Sequence, residues 1–322
     1  MTHWLYEAGI GEERAALIEQ GRLTEARIQR QDEPHLPGAI VDVKLLVRSA
    51  GGHRARALMP DGSEAMLQPL PRGVSEGAIV RAEIVREALI EPGTLRTKPP
   101  RLRPVAPETP LRSAPSLIER IESQGLDIVR CTAAGTDSLA DAGWNELIDE
   151  AETGQIGFAG GMLTFSPTPA MMVVDVDGDL APRALALAAA PALAVAIRRH
   201  GMGGNIAVDF PTLGDKADRN AVMAAFDTAM STACERTAIN GFGLMQIVIR
   251  RTSASLIELH AADPVRWQLL ARLRSAERDT GTGTLRLDLP SAESQLLGAR
   301  PEWLDALQRR TGRMVAVSAV PA

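Results

Sequence analysis

The sequence predicts a mixed α/β protein in which a small β-barrel follows an N-terminal hairpin and a compact α/β unit closes the chain. Three observations carry that expectation. Period-two apolar positions run from the N-terminus to about Arg96. From Pro115 onward, strand-like and helix-like patterns alternate, which implies a mixed or parallel sheet flanked by helices. A length of 322 residues allows a sizeable core and roughly two domains.

The first segment, residues 1–36, reads as strands. "HWLYEAGI", "RAALIEQ" and "RLTEARIQR" alternate apolar and polar positions, with Gly21 turning the last two. Residues 37–97 carry "GAIVDVKLLVRSA", "HRARALMP", "SEAMLQPL" and "AIVRAEIVREAL". The turns "AGGH", "PDGS" and "SEGA" separate them. That many short strands in so short a span suggest an OB-like barrel. Residues 98–112 lie in a proline-rich stretch with an excess of arginine, which reads as an extended linker or arm.

Beyond it, "APSLIERIESQG" reads as a helix, "LDIVR" as a strand and "GWNELIDEAETG" as a helix. "GGMLTF" and "AMMVVDV" form a strand pair around "SPTP". "RALALAAAPALAVAIRRHG" is an alanine-rich helix that Pro191 is expected to kink. A strand "GGNIAVDF", a helix "DKADRNAVMAAFDTAMSTACE" and a strand "FGLMQIVIRR" follow. The last part, residues 259–322, holds a helix opened by Asp263-Pro264, a strand "GTLRLDLP", a helix "PEWLDALQRRTG" and a strand "MVAVSAV".

Composition narrows the function classes. Net charge is −5, against a strongly basic nucleic-acid scaffold but compatible with a local basic groove. Aromatics make up 3%, too few for a broad base-stacking surface. Two cysteines, Cys131 and Cys234, exclude a disulfide framework and a cysteine-rich zinc site. The start lacks the basic and apolar blocks of a signal peptide, and no run of apolar residues is long enough to span a membrane. A cytoplasmic location is the resulting expectation.

The chemistry concentrates in "MMVVDVDGDL". Strand alternation puts Asp175 and Asp177 on one face at the carboxyl end of a strand. "NIAVDF" also ends in an aspartate, Asp209. Ligands of α/β sheets collect at such strand ends. If the two strands are neighbours, Asp175 and Asp209 face each other, and the repulsion becomes attraction once a divalent cation sits between them. Mg²⁺ suits such a pair, with Mn²⁺ as a substitute. A structural reading stands beside this one, because aspartate also turns chains after strands and caps helices; Asp179 is expected to cap the helix that starts near Pro182. "GMGGN" has the wrong strand–helix order for a phosphate loop. The histidines show no metal-ligand spacing.

The order of these motifs resembles the catalytic core of the ribonuclease E/G family. The carriers are "GGMLTFSPTPAMMVVDVDGD", "RRHGMGGNIAVDF" and "INGFGLMQIVIRR". The resemblance implies an RNase H-like/DNase I-like core, residues 144–258, in which Asp175 and Asp209 hold the catalytic Mg²⁺. Asp177 stands where the family has asparagine. "EERAALIEQGRLTEARIQR" is similar to the family's opening hairpin, and residues 37–97 to its inserted RNA-binding barrel. "DIVRCTAAGT", within a shortened segment 113–143, resembles the 5′-monophosphate sensor, which assigns RNA contacts to Arg130 and Thr132. In the barrel, Leu58 and Met66 replace the aromatics that pack on a base, and Arg86 retains a positive charge. Where the family has paired zinc-binding cysteines, this chain reads "IELHAADP", so no zinc is expected.

The implied function is Mg²⁺-dependent endonucleolytic hydrolysis of single-stranded RNA by a compact, zinc-less monomer or homodimer. A non-catalytic RNA-binding relative is the alternative within the family. A phosphohydrolase of small phosphate esters would explain the carboxylates but leave the barrel without a role.

Overall fold

The computed structural model describes residues 2–94 and 96–320; Met1, Leu95, Pro321 and Ala322 lie outside the described residues. The chain begins with β1 (His3–Ala8), β2 (Glu12–Glu19) and β3 (Arg22–Arg30), an antiparallel meander. The β2–β3 hairpin turns on Gln20 and Gly21, both at positive φ (53° and 77°). A two-residue hairpin of this kind matches the right-handed twist of the strands it joins.

The barrel comprises β4 (Ile40–Arg48), β5 (Ala55–Leu58), β6 (Glu64–Leu67) and β7 (Ile79–Arg86). A short ribbon follows, β8 (Leu89–Ile90) with β9 (Thr97–Lys98), and then β10 (Arg101–Pro104). The barrel closes in the order β10-β6-β5-β4-β7. This corrects the expected linker at residues 98–112: its Arg101–Pro104 is a barrel strand, parallel to β6 and antiparallel to β7. Without it, β6 and β7 would leave open edges with unpaired backbone groups. Leu102 is fully buried and completes the barrel core. One apolar residue between arginines and prolines carries no period-two signal, which is why the strand is not legible locally.

α1 (Leu117–Glu122) starts on a capping box between Ser116 and Glu119. β11 (Asp127–Cys131) then returns to the first sheet, parallel to β1, giving the order β11-β1-β2-β3. α2 (Ser138–Asp141) and α3 (Trp144–Thr153) lead into a second sheet. Its elements are β12 (Gln155–Phe158), β13 (Gly161–Pro167), β14 (Met172–Gly178), α4 (Pro182–Arg199), β15 (Gly204–Asp209), α5 (Lys216–Ala229), β16 (Cys234–Arg236) and β17 (Leu244–Ile249). The strands order as β12-β13-β14-β15-β17-β16. The helix read through Cys234 ends earlier, at Ala229, and Cys234 opens a strand.

α4 lies between the two sheets. Ala186, Ala189, Ala190, Ala194 and Ala196 are buried, and the core around them takes Leu5, Ala16 and Ile18 from the first sheet and Val174, Ile206 and Val208 from the second. Small side chains let one helix approach a sheet on each side. That is the physical reason for the alanine-rich sequence. The helix runs through Pro191 as one element. On its far side the first sheet buries Trp4, Tyr6 and Leu17 against Leu117 and Ile121 of α1. The second sheet keeps its outer face open.

The chain ends with α6 (Leu256–Ala262), α7 (Pro264–Glu277), β18 (Leu285–Pro290), α8 (Ser291–Gly298), α9 (Pro301–Thr311) and β19 (Val315–Val320). β18 and β19 pair in parallel. Their core of leucines and Trp303 receives Ile10 from the β1–β2 turn, which docks this unit on the first sheet. No helix among the described residues is long and apolar enough to cross a membrane.

Candidate active site

β14 and β15 are neighbours and parallel, and their register pairs Asp175 with Asp209. Adjacent strands lie about 4.8 Å apart, so the two carboxylates start from neighbouring backbone positions. Alternation does the rest. Met172, Val174 and Val176 point into the core, while Asp175 and Asp177 stand on the open face. Ile206 and Val208 are buried likewise, and Asp209 is exposed. The row continues across the sheet: Thr164 pairs with Asp175, and Leu244 with Asp209.

Two glycine turns bring the backbone close at this end. Gly161 approaches the Asp177 carbonyl so tightly that an added Cβ would stand 2.5 Å from it. Gly243, at φ +95°, packs its backbone against the Phe210 carbonyl. Asn240 orders that second turn, its Oδ1 accepting from the amides of Phe242 and Leu244. The turn holds Phe242 85% exposed.

Electrostatically the three aspartates are a strained group. Burial, then the charge and hydrogen bond of Asp177, then the charge of Asp209 push the Asp175 carboxyl above the usual carboxylate range. The Val176 amide, which donates to Asp175 Oδ1 at 3.0 Å, opposes this. The donor set is all-oxygen, the kind a hard divalent cation takes. Among the described residues, no three His, Cys, Asp or Glu side chains converge in metal-binding geometry. A cation here would therefore rest on the Asp175–Asp209 pair, with waters and substrate oxygens completing its shell. Asp179 does not cap α4. Ala181 is the N-cap residue and its methyl side chain accepts no cap bond, while Pro182 at the first helical position has no N–H to satisfy.

A basic groove meets the same sheet. It has a volume of about 720 Å³ and is lined by Arg86, Lys98 and Arg101 of the barrel region and by Asn205, Val248, Arg250 and Arg251 of the sheet region. Asn205 and Val248 are cross-strand partners on the outer face that carries the aspartates. Burial and the charges of Arg101 and Arg251 depress the Arg86 guanidinium below its ordinary value. Three arginines thus crowd together. Arg251 has Glu258 at 2.7 Å, while Arg86 donates to the carbonyls of Glu87 and Pro99.

The other sequence-derived RNA contacts scatter. Met66 lies beside Arg101 in the barrel register, and Arg101 beside Arg86, so these three form a row across the outer barrel surface. Leu58 is on β5, opposite Glu64. Arg130 is on the first sheet, in β11; it pairs with Glu122 at 3.1 Å and covers the Tyr6 ring. The Thr132 hydroxyl donates to the Ala134 carbonyl. The fold thus assembles the carboxylates on one sheet and Arg86 with Met66 on the barrel, and puts Arg130 and Thr132 on another sheet. The contribution of Arg101, Arg250 and Arg251 to one groove was not readable locally, because Arg101 and Arg251 are distant in sequence and meet only where barrel and sheet touch.

Residues 108–252 match the Ribonuclease E/G family model. The matched span includes the whole second sheet and all three aspartates, and stops short of the barrel on one side and the C-terminal unit on the other. None of the curated proteins compared matches the chain. The span that carries the paired carboxylates is thus similar to the ribonuclease E/G family.

Proposed function

We propose that the protein is a divalent-metal-dependent endoribonuclease that hydrolyses phosphodiester bonds in single-stranded RNA. The observation that carries this reading is the register of Asp175 and Asp209 on an open sheet face that continues into a basic groove. Asp175 and Asp209 would hold the cation. Bound Mg²⁺ supplies polarisation of a phosphate oxygen and a lowered pKa for water. The remaining steps belong to side chains. Asp177 accepts a hydrogen bond from the attacking water and orients it. Arg86, Arg101 and Arg250 hold the RNA backbone at the barrel–sheet junction, and Met66 offers an apolar surface beside them. The open face admits an extended single strand, which an enclosed pocket would not.

The test is incubation of a 5′-monophosphorylated single-stranded RNA with the wild-type chain and with an Asp175→Asn, Asp209→Asn double variant, in Mg²⁺, in Mn²⁺ and in EDTA. Cleavage by the wild type alone, dependent on the cation, supports the reading. RNA bound equally by both proteins without cleavage refutes it in favour of a non-catalytic RNA-binding relative.

A further inference from the structure

The chain has five phenylalanines, four tryptophans and one tyrosine. All four tryptophans and Tyr6 are buried, as are Phe165, Phe210 and Phe226. Phe158 is half-buried and packs on the main core. Phe242 alone stands out in solvent. A ring left in water gives the fold none of the stabilisation that burial of such a side chain brings. Single exposed apolar residues are ordinary on a protein surface. The surroundings of Phe242 set it apart.

Its backbone is pinned to the strand end that carries Asp209. Besides the two amides that donate to the Asn240 side chain, the Asn240 amide donates to the Leu244 carbonyl, and the Phe210 amide donates to the Gly243 carbonyl at 3.1 Å. Leu244 is the cross-strand partner of Asp209. Partnered Cα atoms lie at most about 5.5 Å apart and consecutive ones about 3.8 Å, so the Phe242 Cα is no more than about 13 Å from that of Asp209. Gly241 and Gly243 flank the ring, so neither chain neighbour has a side chain to cover it, and the space beside Gly241 is open. Leu244, next along the strand, is exposed as well. On the other side of the aspartates, Met162 pairs with Asp177, and Leu180 lies against Gly160; both are exposed. The carboxylates thus stand between two exposed apolar borders, of which only the Phe242 side is aromatic.

We infer that Phe242 is a substrate-positioning residue whose ring stacks on the nucleobase beside the scissile phosphate, a role that rests on the ribonuclease reading given above. A phosphate held at the aspartates fixes the strand at one point only. A base stacked next to it also fixes the direction of the sugar–phosphate backbone, and with it the line along which water must attack. The groove arginines hold phosphates and read no base. Every base has a π-face, so one phenylalanine serves any sequence and gives at most a modest preference among bases. Met162 and Leu180 offer an apolar but non-aromatic surface to the base on the opposite side, where stacking is weaker.

The experiment couples the ring to one base. A cut site is first mapped in a single-stranded RNA with the wild-type chain and Mg²⁺. Copies of that RNA are then made, each lacking one base near the cut, and kcat/KM is measured for wild type, Phe242→Ala, Phe242→Trp and, as a distant exposed control, Met314→Ala. At one position flanking the cut, loss of the base should lower the wild-type kcat/KM by about tenfold. Phe242→Ala should lose about as much on the intact RNA and lose nothing further when that base is missing. Phe242→Trp and Met314→Ala should follow wild type. Phe242→Ala should also melt with wild type, because the ring lies outside the core. If the losses from Phe242→Ala and from each missing base simply multiply at every position, the ring touches no base: the inference is overturned and the ribonuclease reading stands. If wild type cleaves no RNA, that reading falls and the inference falls with it.

Discussion

Replacing Arg101 by glutamine isolates the electrostatic share of RNA binding. Arg101 bridges the barrel strands β6 and β7 and lines the groove, with no acidic partner in ion-pair contact among the described residues. Of the other groove cations, Lys98 has Glu91 at 3.7 Å and Arg251 has Glu258 at 2.7 Å, so both are partly neutralised. Arg86, Arg101 and Arg250 remain as charges for phosphates. Each phosphate neutralised on a single strand contributes about −0.7 to the slope of log K against log salt, so three contacts give about −2. Arg101→Gln should therefore flatten the slope by about 0.7 and weaken binding most at low salt. The assay is fluorescence anisotropy of a labelled single-stranded RNA over a series of NaCl concentrations, without divalent cation to prevent cleavage. A variant whose slope parallels that of the wild type would show that RNA does not use this groove. Arg309→Gln, on the exposed side of α9, controls for net charge and should leave the slope unchanged.

Three further outcomes follow from the same structure. Burial raises the Glu87 carboxyl from 4.5 to about 7, against the amide bond from Ala254; because the folded pKa is the higher one, stability falls as pH rises through that window. Glu87→Gln should equal wild type near pH 4.5 and exceed it by roughly 3 kcal/mol at pH 8 in urea denaturation, and a pH-independent difference would contradict this. Glu7 is buried but accepts from Arg14, Arg274 and Arg278, which outweigh desolvation and hold its carboxyl below the usual range. Glu7→Gln should cost about 3–5 kcal/mol at neutral pH, because three guanidiniums lose their shared partner; the loss should shrink as pH falls through the lowered folded pKa, where wild type also loses the charge. Asp209→Asn should raise the metal-free melting temperature by relieving repulsion and abolish any stabilisation by Mg²⁺, while Asp127→Asn, on β11, should change neither.

Local patterns in the sequence contain much of the second sheet. Val174 and Val176 alternate with Asp175 and Asp177, and that period-two pattern already assigns the valines to a core and the aspartates to an open face. The glycine pairs around residues 160 and 203 mark the turns, and the family likeness names the two strand ends that matter. Capping boxes at Ser116 and Ser255 illustrate how a helix start can be written in four residues. Periodicity alone thus fixes the face each aspartate occupies and the elements that bear them.

What those elements meet is set by packing between distant parts of the chain. The pairing of Asp175 with Asp209 depends on β14 and β15 being neighbours, a contact across an intervening helix that no local pattern states. β10 is a strand because β6 and β7 have edges to close, not because its own residues favour one. Arg86, Arg101 and Arg251 become one charged wall only where the barrel touches the sheet. Periodicity reports how a segment partitions between water and core, whereas a site needs the distance between segments, and that distance is set by packing between parts of the chain far apart in sequence.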